Sequence, residues 1–390
     1  MPWQAWHIRS GPPPFATHSV WACCSDARLW RGAISRLLQT LTVSLVLLPL
    51  AVVGCIGDED IKAQFEGYAP AALDDGWVVS TPDSEGLDVA AIDRVYERLF
   101  SQDEWPTAHA LLIVRHGRLV AEAYARDDAE RDRYHHLQSA TKSITSMMLG
   151  MAIDYGYVES VDGPLSLYLP ENFDGGGPVS DLTIYHALTM QTGFDFDNDV
   201  HTATLFNYDG DTVGYVLDRA FVFDPGQGFY YNDGAPQLVS AIVQRASGVS
   251  QEKFARERLF APLGIDNYQW ESSADGRTFG AFGLWLTPRD MAKIGQLMLQ
   301  DGVWNGERLL SSDWIAESTT RHVNRESYGY YWWVYEDRDI FAAEGHGLQI
   351  IHIGRGRDLV VVLIADPYSS DAALSPGMSG LIGDVALAAR

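Results

Sequence analysis

The sequence predicts an α+β fold: an antiparallel sheet flanked by helices and built from both chain ends, with a mainly helical subdomain inserted. Three observations lead there. Ala108–Val114 and Arg118–Tyr124 are short apolar or alternating runs separated by His116-Gly117, a hairpin signal. Gln349–Ile353 and Asp358–Ala365 repeat that pattern around Gly354-Arg355-Gly356, near the other end of the chain. Between these two strand regions, from Ser139 to about Pro262, the patterning is helical and broken by Gly/Pro-rich loops. Strands at both ends with helices between them place the termini side by side in one sheet.

The chain opens with a leader. Leu41–Gly54 is a mostly apolar run of 14 residues behind Arg31 and Arg36, short of the ~20 residues that span a membrane. It reads as a signal-peptide core, with a short buried helix or an uncleaved anchor as the alternative. Val52-Val53-Gly54-Cys55 resembles the lipobox of bacterial lipoproteins, which makes Cys55 the expected lipidated N-terminus of an exported, cell-envelope protein. Residues 1 to about 28, with Pro12-Pro13-Pro14 and three tryptophans, make a poor start to such a leader, so the true translation start is left open. Cys23 and Cys24 leave with residues 1–54, and Cys55 is then the sole cysteine, so no disulfide is expected.

Residues 55–86 are acidic and without sustained periodicity, which suits a tether. The folded unit is expected from Leu87 to the C-terminus, with its helical subdomain at about 150–265. Leu87–Phe100 sets Val89, Ile92, Val95, Tyr96 and Leu99 at helical spacing, and Leu381–Ala389 closes the chain as another helix.

With 390 residues, 46% hydrophobic and 21% charged, the chain is globular and long enough for one large or two medium cores. It holds 28 Lys and Arg against 52 Asp and Glu. The first 54 residues take four arginines and one aspartate, so the chain from Cys55 onward carries 24 basic against 51 acidic residues, about −27. Such a charge repels phosphate backbones and anionic membrane surfaces, which argues against nucleic acid and leaves a lipid anchor as the membrane contact. No H-E-x-x-H, G-x-G-x-x-G or G-x-S-x-G motif occurs. Asp195-Phe-Asp-Asn-Asp199 looks like a calcium loop, but Val200 replaces its glycine and Phe206 its bidentate glutamate, so neither metal nor cofactor is expected.

The chemistry lies in Ser139-Ala-Thr-Lys142, an S-x-x-K that puts hydroxyl and amine on one helix face. Ser250-Gln-Glu-Lys253 matches it too, although the chain has four lysines in all. Context separates them. Ser250 follows Gly248-Val249 and opens a charged segment, as a helix N-cap does. Ser139 leads into Ile144, Met147, Met148, Leu149 and Met151, a buried-looking helix whose first turn offers free N–H groups to a developing oxyanion. Further along stands Phe229-Tyr230-Tyr231-Asn232-Asp233-Gly234, which contains Y-x-N as Tyr230-Tyr231-Asn232.

These motifs resemble those of the class C beta-lactamase-related serine hydrolases, a family of esterases, D-amino-acid peptidases, aminohexanoate-oligomer hydrolases and lactamases. Leu182–Gly193, Pro262–Gly264, Gly283–Lys293 and Tyr328–Trp333 are similar to family segments in the same order, so the resemblance runs from about Leu87 to the C-terminus. It implies Ser139 as nucleophile, with Lys142 and Tyr230 managing its proton and the choice of base between them open. It also implies that Asn232 holds the lysine and the acyl side of the substrate. His346, in Glu344-Gly345-His346-Gly347-Leu348, is the best match to the third motif, with Leu348 where a glycine is usual, and the spacing puts an oxyanion N–H on Gln349. Tyr330–Trp333 is read as packing onto the core in preference to an acyl pocket.

The activity implied is hydrolysis of an ester or small amide through an acyl-enzyme, on a small-molecule substrate. The alternatives are a beta-lactamase or D-Ala-D-Ala carboxypeptidase and, from another class, a penicillin-binding sensor without turnover.

Overall fold

The computed structural model describes residues 62–389 apart from 102–104, 106, 174–175, 324–325 and 369–377. The leader and Cys55 lie outside the described residues. Six strands form the main sheet: β1 (Ala108–Arg115), β2 (Arg118–Tyr124), β3 (Trp333–Tyr335), β4 (Ile340–Gly345), β5 (Gln349–Gly354) and β6 (Leu359–Ala365). Their order is β2-β1-β6-β5-β4-β3, with every neighbour antiparallel. The helices that matter to the site are α1 (Val89–Leu99), α2 (Thr141–Asp154), α3 (Asn198–Phe206), α4 (Gly234–Ser247), α5 (Pro288–Leu299) and α6 (Met378–Ala388). The chain is therefore α+β, with the first two strands and the last four meeting where β1 pairs β6.

Local signals set most of these boundaries. Asp88 caps α1 by accepting from the Ala91 N–H at 3.2 Å. The β1–β2 hairpin turns on His116 (φ 49°) and Gly117 (φ 72°), the left-handed pair that a two-residue hairpin needs. β6 is buried at every position because both faces of the sheet are covered. Ala110, Leu112, Val114, Val360, Val362 and Ile364 pack with α2, α4 and α5 on one face. Leu111, Ile113, Val361 and Leu363 pack with Ile92, Val95 and Tyr96 of α1 and Ile382 and Val385 of α6 on the other. At the first interface α5 comes so close that a Cβ on Gly295 would lie 2.5 Å from Val360.

Residues 62–86 do not form the tether the sequence suggested. They run along β2 and cover the edge of the sheet, where unpaired N–H and C=O groups would otherwise face water. Ala63 N donates to Ala125 O (2.8 Å), Glu122 N to Tyr68 O (2.9 Å), Leu119 N to Val78 O (3.0 Å) and Ser80 N to Leu119 O (2.9 Å). Lys62 is buried and donates to Leu99 O, Tyr68 stacks on Tyr96, and Trp77 meets Trp304 edge-on. The folded unit thus begins at least 25 residues before Leu87.

Candidate active site

The nucleophile candidate sits on a strained turn. Gln138, one residue before Ser139, has φ 51°, a left-handed conformation uncommon for a residue with a side chain. A short 3-10 turn, Gln138–Ala140, then passes Ser139 into α2. Every residue of α2 from Thr141 to Ala152 is buried, and two of its hydroxyls find backbone acceptors inside. Ser143 Oγ donates to Tyr331 O at 2.6 Å and Thr145 Oγ1 to Gly280 O at 2.8 Å. The Thr145 bond, with Gln237 accepting from Gly280 N and Ser240 donating to Thr278 O, fixes the 278–283 loop against α2 and α4.

Lys142 is the centre of the site. Its side chain is 2% exposed, and Nζ donates to Ser139 Oγ at 2.8 Å and to Ala281 O at 3.1 Å. Asp233 Oδ1 lies 2.7 Å away as its ion-pair partner, and the ring of Tyr231 lies under the ammonium at 4.9 Å. Burial alone would push the lysine down, but Asp233 and Tyr231 outweigh it and hold Lys142 above the ordinary lysine value. The surroundings of this lysine therefore favour its charge.

The structure corrects the second motif by one residue. The ring at the Lys142 ammonium is that of Tyr231. Burial, then the carboxylates of Asp197 and Asp195, raise the phenol of Tyr230. Tyr231 is the tyrosine at the lysine, because side chains alternate along extended chain and only one of two neighbours can point inward. Its ring stacks on Trp333 and meets Tyr328 edge-on.

Asn232 is fully buried with both ends of its amide engaged: Nδ2 donates to Tyr230 O and Oδ1 accepts from Ala235 N, each at 2.8 Å. It braces the loop entering α4 and offers nothing to a substrate. The residue beside the lysine is Asp233, whose Oδ2 accepts from Thr202 Oγ1 at 2.6 Å and whose N–H donates to Asn198 Oδ1 at 2.9 Å, both on α3. The motif in space is Tyr231-Asn232-Asp233. Its signal was in the sequence, one position on, as the same spacing with a carboxylate in place of the amide.

The third motif lies on the turn between β4 and β5. His346 is exposed there, followed by Gly347 (φ 71°) and Leu348 (φ 66°), so the leucine that departs from the usual glycine holds a glycine-like conformation. The turn abuts the nucleophile's own turn, since a Cβ on Gly345 would lie 2.2 Å from Leu137 O and 3.0 Å from Gln138. Gln349 is buried opposite Gly345 in the ladder, and its side chain donates to Gly347 O at 3.1 Å and to Ala365 O. That side chain ties the hairpin to β6.

Other motifs resolve plainly. Ser250 caps a short helix by accepting from Lys253 N at 3.1 Å, and Lys253 pairs with Glu257 at the surface. Asp197 caps α3 through Asp199 N at 2.9 Å. Tyr330, Tyr331 and Trp332 are buried in the core, and Trp333 alone of that run stays half-buried, on Tyr231.

With this geometry in view, the family model described as Beta-lactamase matches residues 97–372. The chain belongs to the beta-lactamase family. This family member is 28% identical over 233 residues to the 6-aminohexanoate-dimer hydrolase of Paenarthrobacter ureafaciens, covering 56% of this chain and 58% of that enzyme. It is 26% identical over 224 residues to the lovastatin esterase of Penicillium rubens, covering 43% and 56%. The chain thus spans somewhat over half the length of these two relatives. Among solved structures, a family VIII carboxylesterase shares the fold with a TM-score of 0.62 at 16% identity, over 80% of this chain and 99% of that one. By name, the first of these relatives is a hydrolase and the second an esterase.

Proposed function

We propose that the chain is a serine hydrolase that cleaves an ester or small amide through an acyl-enzyme on Ser139. The observation that carries this reading is the 2.8 Å contact between Ser139 Oγ and a buried Lys142 that also meets Tyr231 and Asp233. A hydroxyl is a weak nucleophile until a neighbour takes its proton, and this cluster can take and return one. Ser139 Oγ bonds to the carbonyl carbon while its proton passes to the Lys142/Tyr231 pair. The C–O or C–N bond then breaks, the leaving group takes that proton, and water releases the acid by the same steps. Backbone N–H groups of the strained Ser139 turn and of the adjoining 345–349 hairpin are the proposed oxyanion donors.

A fluorophosphonate probe tests this directly: labelling should map to Ser139 and vanish in Ser139→Ala. Labelling that persists in that variant, or that maps to Ser250, overturns the assignment. The V-V-G-C sequence supports a further part of the proposal, export with a lipid on Cys55. Intact mass of the membrane fraction should give a mature chain starting at Cys55, and a chain retaining earlier residues contradicts it.

A further inference from the structure

Lys142 has three N–H bonds to give when charged, and three acceptors stand around it: Asp233 Oδ1 at 2.7 Å, Ser139 Oγ at 2.8 Å and Ala281 O at 3.1 Å. The carbonyl and the ionised carboxylate can only accept. Asp233 is itself held from α3 by Thr202 and Asn198, and it is 7% exposed against 1% for Lys142, so water screens the pair little. Burial opposes the lysine's charge, and the Asp233 carboxylate is the foremost of the neighbours that reverse it.

We propose that the Asp233 carboxylate, standing where the motif's spacing puts an amide, moves the pH range of acylation upward by keeping Lys142 an ammonium. The inference rests on the serine-hydrolase reading. To accept the Ser139 proton, the Lys142/Tyr231 pair must first be one proton short. With Asp233 ionised, that loss leaves the cluster with a net negative charge; with a neutral residue there, it leaves the cluster neutral. The carboxylate therefore opposes the loss whichever of the two groups gives up the proton.

The other groups facing the pair do not substitute for it. Tyr328 and Tyr331 are buried phenols held above their ordinary range by burial, and Tyr231 adds to both shifts. The phenol of Tyr230 is raised by burial and by Asp197 and Asp195, Ser143 and Thr145 of α2 are neutral and bonded to backbone, and His346 lies exposed on its turn.

The test is the rate of fluorophosphonate labelling against pH, from 5 to 10, in the wild type and in Asp233→Asn. The midpoint of the acid limb should fall by about 1–2 units in the variant, the usual effect of one adjacent opposite charge. An unchanged or raised midpoint in a variant whose thermal melt shows it folded overturns the proposal. If the asparagine variant does not fold, Asp233→Ser, which also removes the charge, reads the same shift. Ser139→Ala separates the two ideas: labelling that survives in it sinks the serine-hydrolase reading, whereas labelling lost there with an unmoved midpoint sinks only the role of Asp233.

Discussion

Tyr231 stacks on Trp333, with ring centroids 6.0 Å apart and 23° between the planes. This contact with β3 holds the tyrosine over Lys142, while the phenol of Tyr230, one residue earlier, is raised by burial and by Asp197 and Asp195. Tyr231→Phe should therefore slow ester turnover by a factor on the order of 10²–10⁴, the range for a lost general acid–base group. Tyr230→Phe should stay within a few-fold of wild type. Equal losses in the two variants, measured as kcat/KM on a p-nitrophenyl ester, would return the role to an undivided pair.

The edge cover predicts where the chain can be cut. A chain starting at residue 60 should fold and label, because the backbone bonds of Ala63 and Tyr68 to the edge of the sheet survive. A chain starting at Leu87 should aggregate or melt without cooperativity. It loses Trp77, Asp75 and the bonds along β2, and it exposes an unpaired edge. Cooperative melting of the shorter chain at the wild-type temperature would refute the structural role of residues 62–86.

Legibility in the sequence followed the range of each signal. Asp88, His116-Gly117 and Ser250 act within four residues of themselves, and the elements they set were readable. The apolar run of β6 and the S-x-x-K spacing were readable for the same reason. The choice between Tyr230 and Tyr231 was not, because Thr202 and Asn198 on α3 and Trp333 on β3 decide how that loop is turned. Order in residues 62–86 comes from pairing with β2 and from Arg289, which donates to Ala71 O and Asp75 across more than 200 residues. Neither leaves a periodicity to read. β3 was missed because it is three residues long and begins inside the aromatic run Tyr328–Trp333, and β4 because Ala342-Ala343-Glu344-Gly345 are residues that strands disfavour.

Arg289 also fixes a pH dependence. Its guanidinium closes a fork on Glu122, with Nε 2.8 Å from Oε2 and Nη2 2.5 Å from Oε1, and both side chains are under 5% exposed. Burial would raise the Glu122 carboxyl, but the bonds from Arg289 and Ala71 N outweigh it and leave the group below its ordinary value. A carboxyl lowered in the folded state stabilises at pH above its unfolded value, about 4.3, and that stability is lost as pH falls through the folded value. Glu122→Gln should cost about 1.5–3 kcal/mol at pH 7, since Arg289 loses its charge-assisted bonds to Glu122 but keeps those to Asp75 and Ala71 O, and should flatten stability against pH below about 4. Denaturant midpoints across pH 2–7 check both parts, and a variant as stable as wild type at pH 7 contradicts the first.

Substrate choice follows from the charge around Ser139. Beta-lactams and D-Ala-D-Ala termini carry a carboxylate, and an enzyme specialised for them needs a fixed cation to receive it. Here the third motif offers His346, exposed on a turn, and no lysine or arginine stands in Glu344–Gln349 to receive it. The one ammonium at the nucleophile is Lys142, whose charge is already matched by Asp233 at 2.7 Å. From Cys55 onward the chain carries about −27, which adds long-range repulsion toward anions. A charge pair missing at a desolvated contact costs about 2–5 kcal/mol, and each 1.36 kcal/mol is tenfold in rate. Short-chain neutral esters should therefore be turned over with kcat/KM on the order of 10²-fold or more above nitrocefin at pH 8. His346→Lys should narrow the gap by improving nitrocefin and leaving the ester rate nearly unchanged. Efficient nitrocefin hydrolysis by the wild type with negligible ester activity would instead make the chain a beta-lactamase in activity as well as in fold.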